Sequence, residues 1–146
     1  MAAVEAEIIW QGQMAFVGAG SASKFPVQMD APAETGGTGQ GARPMELLLI
    51  ALGGCTGMDV VSILKKMRQE LTDYRIKVRG ERAAEHPRAY THITVEHIIR
   101  GRNLNPELVE KAVRLSETKY CSVMASINRT VQVEVKTTIV DEAKVP

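Results

Sequence analysis

The segment "MELLLIALGGCTGMDVVSILKKMRQEL", residues 45–71, decides the fold. Pro44 just ahead of it suits a helix first turn. Leu48, Leu52, Cys55 and Asp59 recur at helical spacing, and so do Leu49, Leu52, Thr56 and Val60. Both faces are apolar as far as Leu52, which predicts a first half buried all round. The second half turns amphipathic and ends in Lys65, Lys66 and Arg68, cations where a helix C-terminus favours them. This is the central helix of the domain. Its weak point is "LGGCTG" (52–57), because each glycine inside a helix costs about 1 kcal/mol relative to alanine. Gly53, Gly54 and Gly57 remove side chains around Cys55, which leaves room either for a substrate or for the close approach of another element.

On its N-terminal side the chain reads as a meander of three short strands. Val4 to Trp10 is β-prone, Met14 and Phe16 share a parity, and Phe25, Val27 and Met29 alternate with Lys24 and Gln28. Gly12 and "GAGSAS" (18–23) supply the turns. The glycine-rich "APAETGGTGQGARP" (31–44) that follows is a long connection or a mobile flap. It is not a phosphate loop, since no Lys-Ser/Thr follows Gly41.

Beyond the central helix, Ile76 and Val78 alternate with Arg75, Lys77 and Arg79, and Ile93, Val95 and Ile99 share a parity, which predicts a hairpin. Asn105, Pro106 and Glu107 make a well-formed helix start, with Val109, Ala112, Val113 and Ser116 as its apolar stripe. Residues 120–127 fit a short helix or a loop equally. Val131, Val133, Val135 and Ile139 give the clearest strand signal in the chain. Strands joined locally, with separated helices, make an α+β fold of one domain spanning 1–146.

The composition narrows the function. The chain has 146 residues, 45% of them apolar and 24% charged, and 18 basic against 17 acidic side chains. That balance gives no argument for a nucleic-acid or membrane-surface partner. The first twenty residues lack a signal-peptide layout, and the apolar run Met45–Leu52 is too short to span a bilayer, so a cytoplasmic protein is expected. His92 and His97 have opposite strand parity and lie far from either cysteine, so no metal site is predicted from them. Ser62, Ser116, Ser122 and Ser126 have no evident His partner, so no hydrolase triad emerges. Cys55 and Cys121, 66 positions apart, remain as the chemically capable pair, or as two inert buried thiols. Asp59, one turn after Cys55, is either a satisfied core acid or part of a pocket lining.

"PMELLLIALGGCTGMDVVSILKK" (44–66) followed by "KYCSV" (119–123) resembles the OsmC/Ohr family, in its GGC-type subgroup. The resemblance implies antiparallel sheets wrapped around two central helices in an intertwined homodimer. It also implies a thiol peroxidase acting on organic hydroperoxides, with a dithiol reductant of the lipoyl type and no metal or organic cofactor. Carried over, Cys55 attacks the peroxide and Cys121 resolves the resulting sulfenic acid as a disulfide. The family's peroxidases hold the thiolate with an arginine from the N-terminal strands, but residues 1–42 here contain none. Arg43 becomes the candidate cation, ahead of Arg129, with Glu46 steadying it. Glu46 stands one place later than the family's acid. On a continuous helix this puts it on roughly the opposite face from Cys55, about 13 Å along the axis. The alternative function is a small-molecule-binding or thiol redox-sensing protein without fast peroxidase activity.

Overall fold

The computed structural model describes residues 3–144. Its contacts group into two compact units, residues 1–48 and 49–146, which are taken in turn.

The first unit is the expected meander. Strands β1 (Ala6–Trp10), β2 (Phe16–Gly20) and β3 (Val27–Met29) pair antiparallel in sequence order. Gly12, at φ 95°, supplies the left-handed turn between the first two. The glycine-rich segment is an ordered connection built on the buried Asp30. The Thr38 hydroxyl and the Ala31 and Thr38 amides donate to the Asp30 carboxylate and hold its carboxyl below the usual range. The loop closes so tightly that a Cβ on Gly37 would lie 1.9 Å from the Ala31 carbonyl oxygen. The sequence shows a glycine run; the carboxylate that gathers it lies one residue before the run begins.

Helix α1 (Pro44–Lys66) starts in this unit. The Arg43 carbonyl accepts the first helical hydrogen bond, from the Leu47 amide at 3.1 Å. The Glu46 carboxylate reaches back to the Arg43 amide at 3.2 Å, half of a capping box.

The second unit is a three-stranded sheet, β4 (Glu70–Arg82), β5 (Tyr90–Arg102) and β6 (Gln132–Asp141), in that order. The predicted β4–β5 hairpin is present. It is longer at both ends than its alternation suggests and carries irregularities at Leu71/Asp73 and Glu81/Arg82. The expectation of wholly antiparallel sheets does not hold, because β6 pairs parallel to β5, Ile93 beside Val133 and Ile99 beside Ile139. A parallel neighbour needs a long crossover. Here it is α2 (Pro106–Leu115), a π-helical turn (Ser116–Tyr120) and α3 (Ser122–Ile127). Asn105 caps α2 as read from the sequence, its side chain accepting from the Glu107 amide at 3.0 Å and the Leu108 amide at 3.4 Å. Val60 and Leu64 of α1, Ile99 of β5, and Val109, Ala112 and Val113 of α2 form the core.

The glycines of α1 divide by face. A Cβ on Gly57 would lie 2.7 Å from Ile76 Cδ1, and one on Gly53 would lie 3.1 Å from Val78 Cγ2. Both glycines therefore seat the helix on β4. Around Gly54 nothing lies within 4 Å, so only this glycine provides open space.

The first half of α1 is not buried all round. Leu52 is fully enclosed, whereas Ile50 is 62% exposed, and farther along Met58 is 76% and Val61 44% exposed. Residues 50, 54, 58 and 61 follow one helical stripe, and that stripe is left uncovered. By length and composition alone the helix could also cross a membrane, with a mean hydropathy of 2.0 over an 18-residue window that is 28% buried. The unbroken apolar run up to Leu52 is by itself too short for that. The small residues after it interrupt that run without ending the helix.

His97 lies on the inner face of β5 and His92 on the outer, as their parity predicts. His92 Nε2 lies 3.5 Å from the Glu134 carboxylate, while His97 Nδ1 is hydrogen-bonded to the Tyr74 hydroxyl. Burial pushes the His97 imidazole down to about 4 and pushes the Tyr74 phenol up. An unfolded imidazole titrates near 6.5. Between those values the unfolded chain binds a proton that the folded chain does not, so acid favours unfolding. The unfolding free energy from urea titrations should be level above pH 7, fall by about 1.4 kcal/mol per pH unit below 6.5, and flatten near pH 4. The folded chain should take up about one proton on unfolding at pH 5, measurable by calorimetry in buffers of different ionisation heat.

Candidate functional site

The site lies within the second unit. Cys55 and Asp59 sit one turn apart on α1, so their side chains share a face. Cys121 is the residue between the π-helical turn and α3, and its backbone is extended (φ −72°, ψ 104°) where both flanking segments are helical. That break turns the chain and aims its sulfur inward. One ligand atom from each of Cys55, Asp59 and Cys121 lies within 4.8 Å of the other two. Both cysteines are free thiols, Cys55 half-buried and Cys121 buried.

The π turn is what the sequence reading missed. Such turns carry one residue more than an α-helical turn and are frequent at functional sites. Nothing in "SETKY" (116–120) announces one by composition or period. Its first residue, Ser116, is fully buried and donates from its hydroxyl to Asp59 Oδ2 at 2.9 Å. Ser116 Oγ also lies 2.7 Å from Thr56 Oγ1. A serine has a single hydroxyl proton, here committed to Asp59, so Thr56 must be the donor in the second bond. A chain of hydrogen bonds thus runs from Thr56 through Ser116 to Asp59 and fixes where the carboxylate points. Of the two readings open for Asp59, it is the acid that lines the cysteine site, with one oxygen tethered.

The thiols are held unequally. Burial pushes the Cys121 thiol up to about 11, and the Cys55 thiol and Asp59 carboxylate beside it push the same way. The Met124 amide, donating to Cys121 Sγ at 3.4 Å, opposes them. Cys121 is therefore a protonated thiol at neutral pH. The geometry can do two kinds of chemistry. Two sulfurs at this separation can join as a disulfide after modest side-chain rotation. Two sulfurs and a carboxylate can also converge on one cation.

Arg43 and Glu46, the other residues read as site candidates, belong to the first unit and meet each other. Their side chains lie 3.8 Å apart and both are 56% exposed. Together with its bond to the Arg43 amide, this gives Glu46 a structural role at the start of α1. Between α1 and β4, a groove of about 450 Å³ is lined by Leu49, Ile50, Gly53, Gly54, Ile76 and Val78, with Tyr74 at its side.

Comparison with known proteins agrees with this architecture. The family model for the OsmC-like protein matches residues 37–136. Protein YhfA of Escherichia coli strain K12 is 41% identical over 131 residues, which covers 89% of this chain and 93% of that one. A hypothetical protein from Aquifex aeolicus VF5 superposes with a TM-score of 0.84 at 32% identity, covering 97% of this chain and 99% of that one. The organic hydroperoxide resistance protein OhrB of Bacillus subtilis superposes with a TM-score of 0.63 at 15% identity, covering 94% and 98%, a likeness of fold alone. With the α+β architecture and the paired cysteines already described, these matches place the chain in the OsmC-like family.

Proposed function

We propose that this protein is a two-cysteine thiol peroxidase that reduces organic hydroperoxides in defence against oxidants. One observation carries the reading: the fold brings the sulfurs of Cys55 and Cys121 within 4.8 Å although 66 positions separate them. The Cys55 thiolate attacks the distal peroxide oxygen. The O–O bond breaks, an alcohol leaves with a proton, and Cys55 becomes a sulfenic acid. Cys121 then attacks that sulfur, forming a disulfide and releasing water. An external dithiol reopens the disulfide and is itself oxidised. No metal or organic cofactor enters this sequence. The groove beside Gly54 is apolar, which suits the alkyl part of such a substrate. Arg43, with Glu46 steadying it, is assigned the role of activating cation on the family resemblance rather than on geometry.

A second reading has its own support. Asp59 places a carboxylate beside Cys55, where a peroxidatic thiolate wants a cation. A slower thiol pair that senses oxidants, or a groove that binds a small molecule, fits that charge better. Peroxide kinetics separate the readings. With hydroperoxide and a small dithiol, the peroxidase reading expects turnover that Cys55→Ser reduces to the uncatalysed rate. It expects Cys121→Ser to accumulate a Cys55 sulfenic acid that a diketone reagent traps. Arg43→Gln should slow the oxidation of Cys55 about tenfold or more, as removing a cation that favours the thiolate would. Turnover that survives Cys55→Ser sinks the assignment. Disulfide closure should speed up with pH between 7 and 9, by up to about tenfold per unit, because the Cys121 thiol, at about 11, is still mostly protonated there.

The uncovered stripe of α1 supports a homodimer in which two such helices pack together, the arrangement that the family resemblance implies. Ile50, Met58 and Val61 lie on it with Gly54 between them. Sedimentation of the wild type should give a dimer, and the double variant Ile50→Asp/Met58→Asp should give a monomer.

A further inference from the structure

We infer that the reduced Cys55–Asp59–Cys121 cluster is a binding site for a borderline-soft divalent metal ion of the zinc type. The donor geometry carries this. Cys55 and Asp59 stand at i and i+4 on one helix face, the spacing by which a helix presents two ligands to one ion. Cys121 comes to the same point from the start of α3, so three donor atoms lie within 4.8 Å of one another. An ion about 2.3 Å from each sulfur and about 2.0 Å from the carboxylate oxygen has tetrahedral edges just under about 4 Å. Side-chain shifts on the order of 1 Å close the set.

A second observation concerns how the carboxylate is held. Asp59 Oδ2 is tethered by Ser116, which is itself held by Thr56, both hydroxyls being buried. Protein metal ligands are oriented by such outer hydrogen bonds. Ser116 makes a single hydrogen bond to the carboxylate, which leaves lone pairs for an ion. Two sulfurs and one oxygen select zinc, cobalt or ferrous iron over magnesium or calcium. Three protein donors leave the fourth tetrahedral position open to water or an incoming ligand.

The site shares both thiols with the peroxidase chemistry, but binding an ion does not depend on that chemistry. Binding replaces two thiol protons with one dication, so two protons are released and no electrons move. The ion supplies positive charge beside an otherwise anionic cluster. A Cys55–Cys121 disulfide removes both sulfur ligands, so oxidation and metal binding exclude each other. The reduced protein holds the ion and the oxidised protein releases it.

The test is a titration of reduced, metal-free, full-length protein with Co²⁺ and then Zn²⁺, without peroxide. The expected result is about one Co²⁺ per chain with an intense thiolate-to-cobalt charge-transfer band, and Zn²⁺ displacing it. Cys55→Ser and Cys121→Ser should each abolish the band. Asp59→Asn should weaken Co²⁺ binding at least about tenfold, and Ser116→Ala should weaken it by about tenfold through loss of the tether. Wild-type protein alkylated at its thiols, with circular dichroism unchanged, should not bind, which guards against variants that fail to fold. The inference is overturned if reduced wild type shows no charge-transfer band, or if the band persists after Cys55→Ser or is unmoved by Asp59→Asn. None of these outcomes depends on peroxide turnover, so this site and the peroxidase reading stand or fall separately.

Discussion

The second unit depends on how closely α1 can lie on its sheet. Gly53 and Gly57 face Val78 and Ile76 of β4 at distances that leave no room for a methyl group unless those side chains shift. Leu52, Thr56, Val60 and Leu64 continue the same buried side. A leucine at position 57 would push the helix outward and break the contact of Val60 and Leu64 with Ile99 and the α2 residues. The helix-propensity cost of these two glycines, about 1 kcal/mol each, is offset by the packing that their bare backbone permits. Once that side of the helix is fixed, its rotation is fixed too, and Cys55 and Asp59 must face the segment that carries Cys121.

That segment has its own constraint. β6 lies parallel to β5, so the chain between them has to cross back along the sheet, and α2 does this with its stripe of Val109, Ala112 and Val113 in the core. Ser116 falls at the end of the same stripe, fully buried, where a hydroxyl needs a partner. Thr56 and Asp59 are its partners. The π turn follows at once and ends at Cys121. The buried hydroxyls therefore join the helix that bears Cys55 to the segment that bears Cys121, and they hold the carboxylate that lies near both sulfurs. No buried side-chain polar atom among the described residues lacks a hydrogen-bond partner, so the polar cluster carries no uncompensated desolvation.

What the sequence made legible follows from the range of its signals. The Asn105-Pro106-Glu107 helix start, the β4–β5 alternation and the opposite parity of His92 and His97 are local patterns, and each appears in the structure. The helical phase of Cys55 and Asp59 was equally readable, because four residues along a helix make one turn. The partner of Asp59 was not readable, since Ser116 lies 57 positions away and only tertiary packing joins them. The π turn and the parallel pairing of β6 escaped for the same reason: neither leaves a periodic trace in "SETKY" or in the alternation of β6. Burial of the first half of α1 was overread, because an apolar helix face records that something covers it and not whether the same chain does. The pairing of Cys55 with Cys121 came from the resemblance, and no spacing rule would have supplied it.

Glycine at positions 53 and 57 is explained by the sheet, so the cysteine between them is not an accident of making space. Only Gly54 leaves the surface beside Cys55 open. What defines the site is the sign of its charge. A thiolate peroxidase gains from a fixed cation, whereas this chain fixes a carboxylate one turn from Cys55 and ties it in place through two buried hydroxyls. Leaving Ser116 without an acceptor would cost about 1–3 kcal/mol, and that alone could account for an acid somewhere near it. It does not account for a carboxylate oxygen that lies within 4.8 Å of both sulfurs. An anionic cluster with two soft donors is stable in two ways: with its thiols protonated, as burial keeps Cys121, or with a cation in their place. Both states are reduced, and both end when the sulfurs join, so a single disulfide would empty the site and close it.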